Sequence, residues 1–309
     1  MNAAAWSLYL TALALTGLVA TTVISRASVT APHAFPDIRA SADPELVERG
    51  RYLVYGPAHC ASCHGDPARE RDLREGVDAP LSGGRAFILG MLGTIVAPNI
   101  TSDAAFGIGE VSDHALVRSL RYGISRHGKP LVPIMSFADL ADDDLRAILS
   151  YLRTVPAVAR PASPHRLSVP GTLAVNLLLK AQGPSAPPPS RAAPARTVEY
   201  GRYVAHTLAN CVGCHTQRNK LTGGFAGPAF AGGLVLEEAA GTFVTPNLTP
   251  TRTGIMNGLS EQGFIARFLE TGRLYPGSPM PWEAYGRMTE TDLSAIYRYL
   301  RTLEPAEEP

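Results

Sequence analysis

The sequence predicts an all-α chain made of two copies of one helical module, joined by a proline-rich linker and preceded by an apolar helix. Three observations carry that prediction. Residues 41–160 repeat as residues 195–309. Each copy ends on apolar residues at helical spacing: Leu145, Ile148, Leu149 and Leu152, then Leu293, Ile296 and Leu300. Residues 6–24 carry no charge at all. The expected organisation is a signal or membrane anchor over 1–40, modules over 41–160 and 195–309, and a linker over 161–194.

Composition removes several classes. A net charge of +1 leaves no basic excess for nucleic acid. Only Lys129, Lys180 and Lys220 are lysines, so docking on a lysine ring is not expected; apolar and shape contacts are. Apolar residues make up 45% of the chain, which excludes disorder. Four cysteines in 309 residues are too few for a disulfide scaffold.

The apolar stretch over 6–24 is long enough for one membrane span. It also suits a secretory signal, with Ser25-Arg26-Ala27 offering small residues for cleavage. No Lys or Arg precedes it and Arg26 comes after it, the reverse of the usual charge bias. Both readings export the two modules.

The first module opens with Glu48-Arg49-Gly50-Arg51-Tyr52, matched by Glu199-Tyr200-Gly201-Arg202-Tyr203 at an offset of 151. Next comes Cys60-Ala61-Ser62-Cys63-His64, matched by Cys211-Val212-Gly213-Cys214-His215 at the same offset. Cys-x-x-Cys-His attaches c-type haem. Two thiols at this spacing reach the two vinyl groups along one edge of the macrocycle and form thioethers. The next residue, histidine, then falls beneath the iron. A thioredoxin-like pair expects one motif inside a strand–helix unit. A zinc site of Cys60, Cys63, Cys211 and Cys214 leaves both histidines unexplained. The reading is two covalently bound haem c groups, with His64 and His215 as iron ligands.

After each motif a glycine-rich stretch, 80–93 or 223–233, reads as loop and lacks a P-loop lysine. Pro98-Asn99 and Pro246-Asn247 recur; they line the haem edge or make turns. Each module then needs a sixth ligand, and methionine gives an electron-transfer haem. Pro133-Ile134-Met135 and Ser278-Pro279-Met280 match at an offset of 145. Met135 and Met280 are therefore the expected ligands, on loops stiffened by proline. Met91, Met256 and Met288 are read as core filler. His114, His127 and His206 have no counterpart in the other module and are read as ordinary histidines. His59 is too, because Asn210 takes its place. The last helix starts at Asp142-Asp143-Asp144 in one copy, read as a solvated helix start, and at Thr289 with Asp292 in the other, a capping-box-like start.

At these residues the chain resembles the multi-haem cytochrome c subunits of bacterial membrane-bound dehydrogenase complexes, of the alcohol, gluconate and aldehyde dehydrogenase type. Further marks are Leu81-Ser82-Gly83-Gly84-Arg85-Ala86-Phe87, Ala97-Pro98-Asn99-Ile100-Thr101, Arg121-Tyr122-Gly123-Ile124 and Tyr151-Leu152-Arg153. Those subunits often carry three haem motifs; this chain has two. The resemblance implies two tandem class I-like cytochrome c domains. It also implies an electron-transfer subunit without catalytic side chains. Its donor would be a flavin, quinone-cofactor or molybdenum dehydrogenase. Its acceptor would be a quinone, a cytochrome or a terminal oxidase, at the periplasmic face of the cytoplasmic membrane. Two competing readings are a dihaem peroxidase, which needs an open iron position, and the two-haem subunit of a haem–copper oxidase, whose modules are shorter than a repeat near 150.

The linker holds Pro161, Pro164, Pro170, Pro184, Pro187, Pro188, Pro189 and Pro194 and is expected to be partly extended. Within it, Leu173-Ala174-Val175-Asn176-Leu177-Leu178-Leu179 is an apolar island, too short to span a bilayer and expected to pack between modules.

Overall fold

The computed structural model describes residues 35–307 apart from 136, 220–222 and 239. The first half begins with α1 (Pro44–Tyr55). Asp43 caps it by accepting from Glu45 N at 2.9 Å, and Pro44 at its first position has no N–H to lose. Then come α2 (Cys60–His64) and α3 (Glu70–Arg74), and strands β1 (Ala86–Ile88) and β2 (Gly93–Val96). α4 (Asp113–Tyr122) is capped by Ser112 and closed by Gly123 in the left-handed region. α5 (Asp142–Thr154) buries Leu145, Ile148, Leu149 and Leu152. Each such side chain contributes about 1.5–3 kcal/mol on burial.

The linker adds β3 (Arg166–Leu167), paired antiparallel with β2, and α6 (Val169–Leu173), extended by a π-helical turn over Ala174–Leu178. The second half repeats the first. α7 (Val198–Tyr203) continues as a π-helical turn over Val204–Leu208 and leads to α8 (Cys211–Cys214). A hairpin of β4 (Val235–Glu238) and β5 (Gly241–Val244) comes next, then α9 (Glu261–Leu269), α10 (Trp282–Tyr285) and α11 (Glu290–Leu300).

Two expectations are corrected. The chain is not all-α: each half carries a small antiparallel hairpin, and the linker adds a third strand to the first. These strands run only two to four residues, too short to show an alternating pattern, and glycines surround them. Second, an N-terminal apolar helix is not part of the fold described: residues 6–24 and the Ser25-Arg26-Ala27 site lie outside the described residues. Among the described residues no helix is long and apolar enough to cross a membrane. The linker island also departs from expectation. It joins no apolar core among the described residues: Leu173, Leu177 and Leu178 are exposed, and the helix that leads into it lies on the Gly90–Leu92 turn of the first half, with Gly171 against Leu92.

In each half the first and last helices cross through a glycine. A Cβ on Gly50 would sit 1.9 Å from Ala147 O of α5, and one on Gly201 would sit 1.9 Å from Ala295 O of α11. Both crossings are backbone against backbone. One contiguous apolar core runs through both halves, with Leu53, Ile148 and Leu152 from one and Leu208, Leu293 and Leu300 from the other.

The halves join through a reciprocal pair. Tyr203 donates to Asp144 Oδ2 at 2.7 Å and accepts from Ala141 N at 3.2 Å. Tyr52, its counterpart, donates to Asp292 and accepts from Thr289 N at 3.0 Å. Arg49 completes the first carboxylate's shell at 3.0 Å and Tyr200 the second's at 2.9 Å. The acidic start of α5 is therefore not simply solvated, since Asp144 is 4% exposed. Thr289 does cap α11, accepting from Asp292 N at 3.2 Å.

Gly50→Ala and Gly201→Ala should each destabilise the chain by about 1–3 kcal/mol through overpacking. Tyr203→Phe should cost about 1–3 kcal/mol by leaving buried groups unpaired. Guanidinium unfolding of the variants measures both, and midpoints equal to wild type would contradict the crossing and the junction.

Candidate functional site

The residue before each cysteine pair sets its geometry. His59 has φ 40° and Asn210 φ 49°, both in the left-handed region. Among residues with a Cβ, His and Asn are enriched there. The different residues at this repeat position thus serve one backbone need, a turn that reverses the chain from α1 or α7 into the motif helix. His59 Nδ1 also meets Pro57 O at 3.0 Å.

On α2, Cys60 and Cys63 stand at i and i+3, on one helix face; Cys211 and Cys214 do the same on α8. Among the described residues no disulfide joins any of the four. Burial pushes the Cys60 and Cys211 thiols up to about 12. Thioether formation would remove that titration.

Each histidine is held by the chain on one ring nitrogen. His64 Nδ1 lies 2.9 Å from Pro98 O, and His215 Nδ1 lies 2.9 Å from Pro246 O. A carbonyl only accepts, so Nδ1 carries the proton and Nε2 the lone pair. Burial lowers both histidine pKa values, which keeps the rings neutral. Two thiols on a helix face beside a buried neutral imidazole with a free lone pair is the donor set that covalent haem requires. The residues fit the group. Among the described residues, Trp282 adds a buried Nε1 without a protein partner, two residues after Met280.

Pro98-Asn99 and Pro246-Asn247 do more than turn the chain. The proline carbonyl orients the histidine and the asparagine braces the proline. Asn99 Oδ1 accepts from Thr101 N and Oγ1, and its Nδ2 donates to Val158 O at 2.8 Å, just beyond α5. Asn247 Oδ1 accepts from Thr249 in the same way, and its Nδ2 donates to Ala306 O at 2.6 Å, beyond α11. The glycine-rich loops also act. Gly83 N donates to His64 O and Gly232 N to His215 O, at 2.8 and 2.9 Å. Both glycines have positive φ, and a Cβ on either would meet the Pro98 or Pro246 peptide within 2.6 Å. The sequence signal for this brace was the recurrence of both stretches near an offset of 148.

The methionines divide. Met256 and Met288 are buried filler as expected, whereas Met91 is 81% exposed. Met280 packs against the core, while Met135 stands on the loop after Pro133 with 37% of its surface open. His206 Nε2 meets Tyr299 OH at 2.6 Å, a structural histidine.

No family model matches the chain. It is 33% identical over 243 residues to a diheme cytochrome c-type protein of Cereibacter sphaeroides, covering 74% of this chain and 77% of that protein. It is 28% identical over 284 residues to the cytochrome c subunit of an alcohol dehydrogenase (quinone) of Gluconacetobacter polyoxogenes, covering 85% of this chain and 57% of that subunit. It is 30% identical over 192 residues to the cytochrome c subunit of a gluconate 2-dehydrogenase of Pantoea cypripedii, covering 58% of this chain and 40% of that subunit. The chain thus spans little more than half of the alcohol dehydrogenase subunit and less than half of the gluconate one.

Gly83→Ala should displace the Pro98 carbonyl and lower haem content at the first motif alone; Gly232→Ala should do so at the second. Haem per chain by pyridine haemochrome, with tryptic mapping of the haem peptides, reads this. Full content at both motifs in both variants would contradict the bracing role.

Proposed function

The chain belongs to the dihaem c-type cytochromes, and we propose from that membership that it is the electron-transfer subunit of a dehydrogenase complex. The observation that carries the proposal is the duplicated histidine brace, 2.9 Å from Nδ1 to a proline carbonyl in both halves. In this reading Cys60 and Cys63 would hold the first haem as thioethers, with His64 and Met135 as its iron ligands. Cys211 and Cys214 would hold the second, with His215 and Met280. Each haem, when bound, supplies a one-electron ferric–ferrous couple at a potential raised by methionine.

The chain's residues do the rest. Pro98 and Pro246 orient the imidazoles. Met256, Phe264, Phe268 and Trp282 form part of the buried apolar core in the second half. No proton is handled and no substrate bond is made. The named relatives that are dehydrogenase subunits support a dehydrogenase as donor. A quinone, cytochrome or oxidase would receive the electron.

The site of action in this reading is the periplasmic side of the cytoplasmic membrane. The uncharged stretch over 6–24 supports export. Docking in this reading is apolar. Ile88, Met91, Val169 and Leu178 are each more than 70% exposed, on β1, the turn beside it and the linker helix that packs there.

Affinity-tagged chain drawn from detergent-solubilised membranes should bring a dehydrogenase with it, and that enzyme's substrate should reduce the haems. The complex should persist at an ionic strength that screens surface charge, about 0.5 M. A chain that purifies alone, and is reduced by no dehydrogenase in the membrane, would overturn the proposal.

A further inference from the structure

We infer that Tyr285 is the residue that positions the two motifs for the passage of an electron between them inside one chain. The inference rests on the haem assignment above.

Tyr285 is a buried residue on α10. Its hydroxyl donates to Ala209 O at 2.6 Å, and Ala209 lies two residues before Cys211. Its ring meets the His59 ring edge-on, centroids 5.6 Å apart, and His59 immediately precedes Cys60. One aromatic side chain therefore touches the chain just before both motifs.

The helix that carries Tyr285 breaks the repeat. Met135 matches Met280 at an offset of 145, while Leu140 matches Met288 at 148, so the second half has three extra residues here. They fall in the stretch that contains α10, which reaches the first half. Just beyond it, Arg287 donates to Asp78 Oδ1 at 2.6 Å and Val77 O at 2.9 Å, and lies over the Tyr55 ring at 5.4 Å. Asp78 also holds Arg51, at 2.6 Å. A buried aromatic is ordinarily core filler. This one sits on an insertion that crosses the junction, is clamped from the first half, and bridges both motifs.

The step is an outer-sphere transfer: one electron leaves the reduced site and enters the oxidised one. No bond changes and no proton moves. The donor is the enzyme proposed above, or any one-electron reductant in the test.

The test uses the full-length protein with both haems bound, partly reduced with dithionite. NMR of the haem methyl groups then measures exchange between its two half-reduced forms. In the wild type that exchange should be fast and independent of protein concentration. Tyr285→Leu should slow it several-fold with both haems retained and their iron ligands unchanged, whereas Tyr285→Phe, which keeps the ring on His59 but loses the bond to Ala209, should slow it less. Arg287→Gln, which unclamps the same helix, should slow it too, and carries the test if the leucine variant loses a haem. Exchange that scales with protein concentration in the wild type would overturn direct transfer. Wild-type exchange in both Tyr285→Leu and Arg287→Gln, or in Arg287→Gln alone if the leucine variant loses a haem, would overturn the role of Tyr285. None of these readouts needs a dehydrogenase, so a wrong partner assignment would leave them standing.

Discussion

Backbone contact between the first and last helix of each half is the constraint on which the site depends. With Gly50 against Ala147 O, nothing larger than hydrogen fits, so the angle and register of α1 on α5 are fixed. That fixes where the chain leaves α5, and the segment leaving it offers Val158 O to Asn99. Asn99 braces Thr101 and the Pro98 peptide, and Pro98 O holds the His64 ring. The second half runs through the same sequence of contacts from Gly201 and Ala295 to Ala306, Asn247, Pro246 and His215. A ligand geometry is thus determined by the crossing of two helices about a hundred residues apart in sequence.

The junction between the halves uses the symmetry of the repeat. Tyr52 and Tyr203 occupy equivalent positions and each reaches the buried aspartate of the other half. A buried carboxylate is costly unless its lone pairs are filled. Here each is filled by a hydroxyl from across the junction and one group from its own half, Arg49 or Tyr200. Neither half is fully satisfied alone, which makes the pair one body and holds the two motifs at a set spacing.

The sequence announced the parts that repeat. Cys60, Cys63 and His64 and their second copy were readable because attachment chemistry permits one spacing. The last helices were readable because their apolar residues recur at helical period. The hairpins escaped because strands this short carry no period. The role of His59 escaped because its function is a backbone angle, which His and Asn serve equally. Asp144 and Asp292 looked like helix-start acids; that they take hydroxyls from the opposite half depends on a partner more than fifty residues away. Tyr285 was invisible to repeat reasoning because it lies in the part that does not repeat.

In the proposed reading one fold, used twice, would hold two covalent haems, each with a braced histidine and a methionine as its iron ligands. Intact mass and low-temperature magnetic circular dichroism of the protein matured with haem test this together. A mass increase of two haems per chain is expected, with low-spin His/Met signatures at both sites. One haem per chain, a disulfide within either cysteine pair, or a high-spin iron would contradict it.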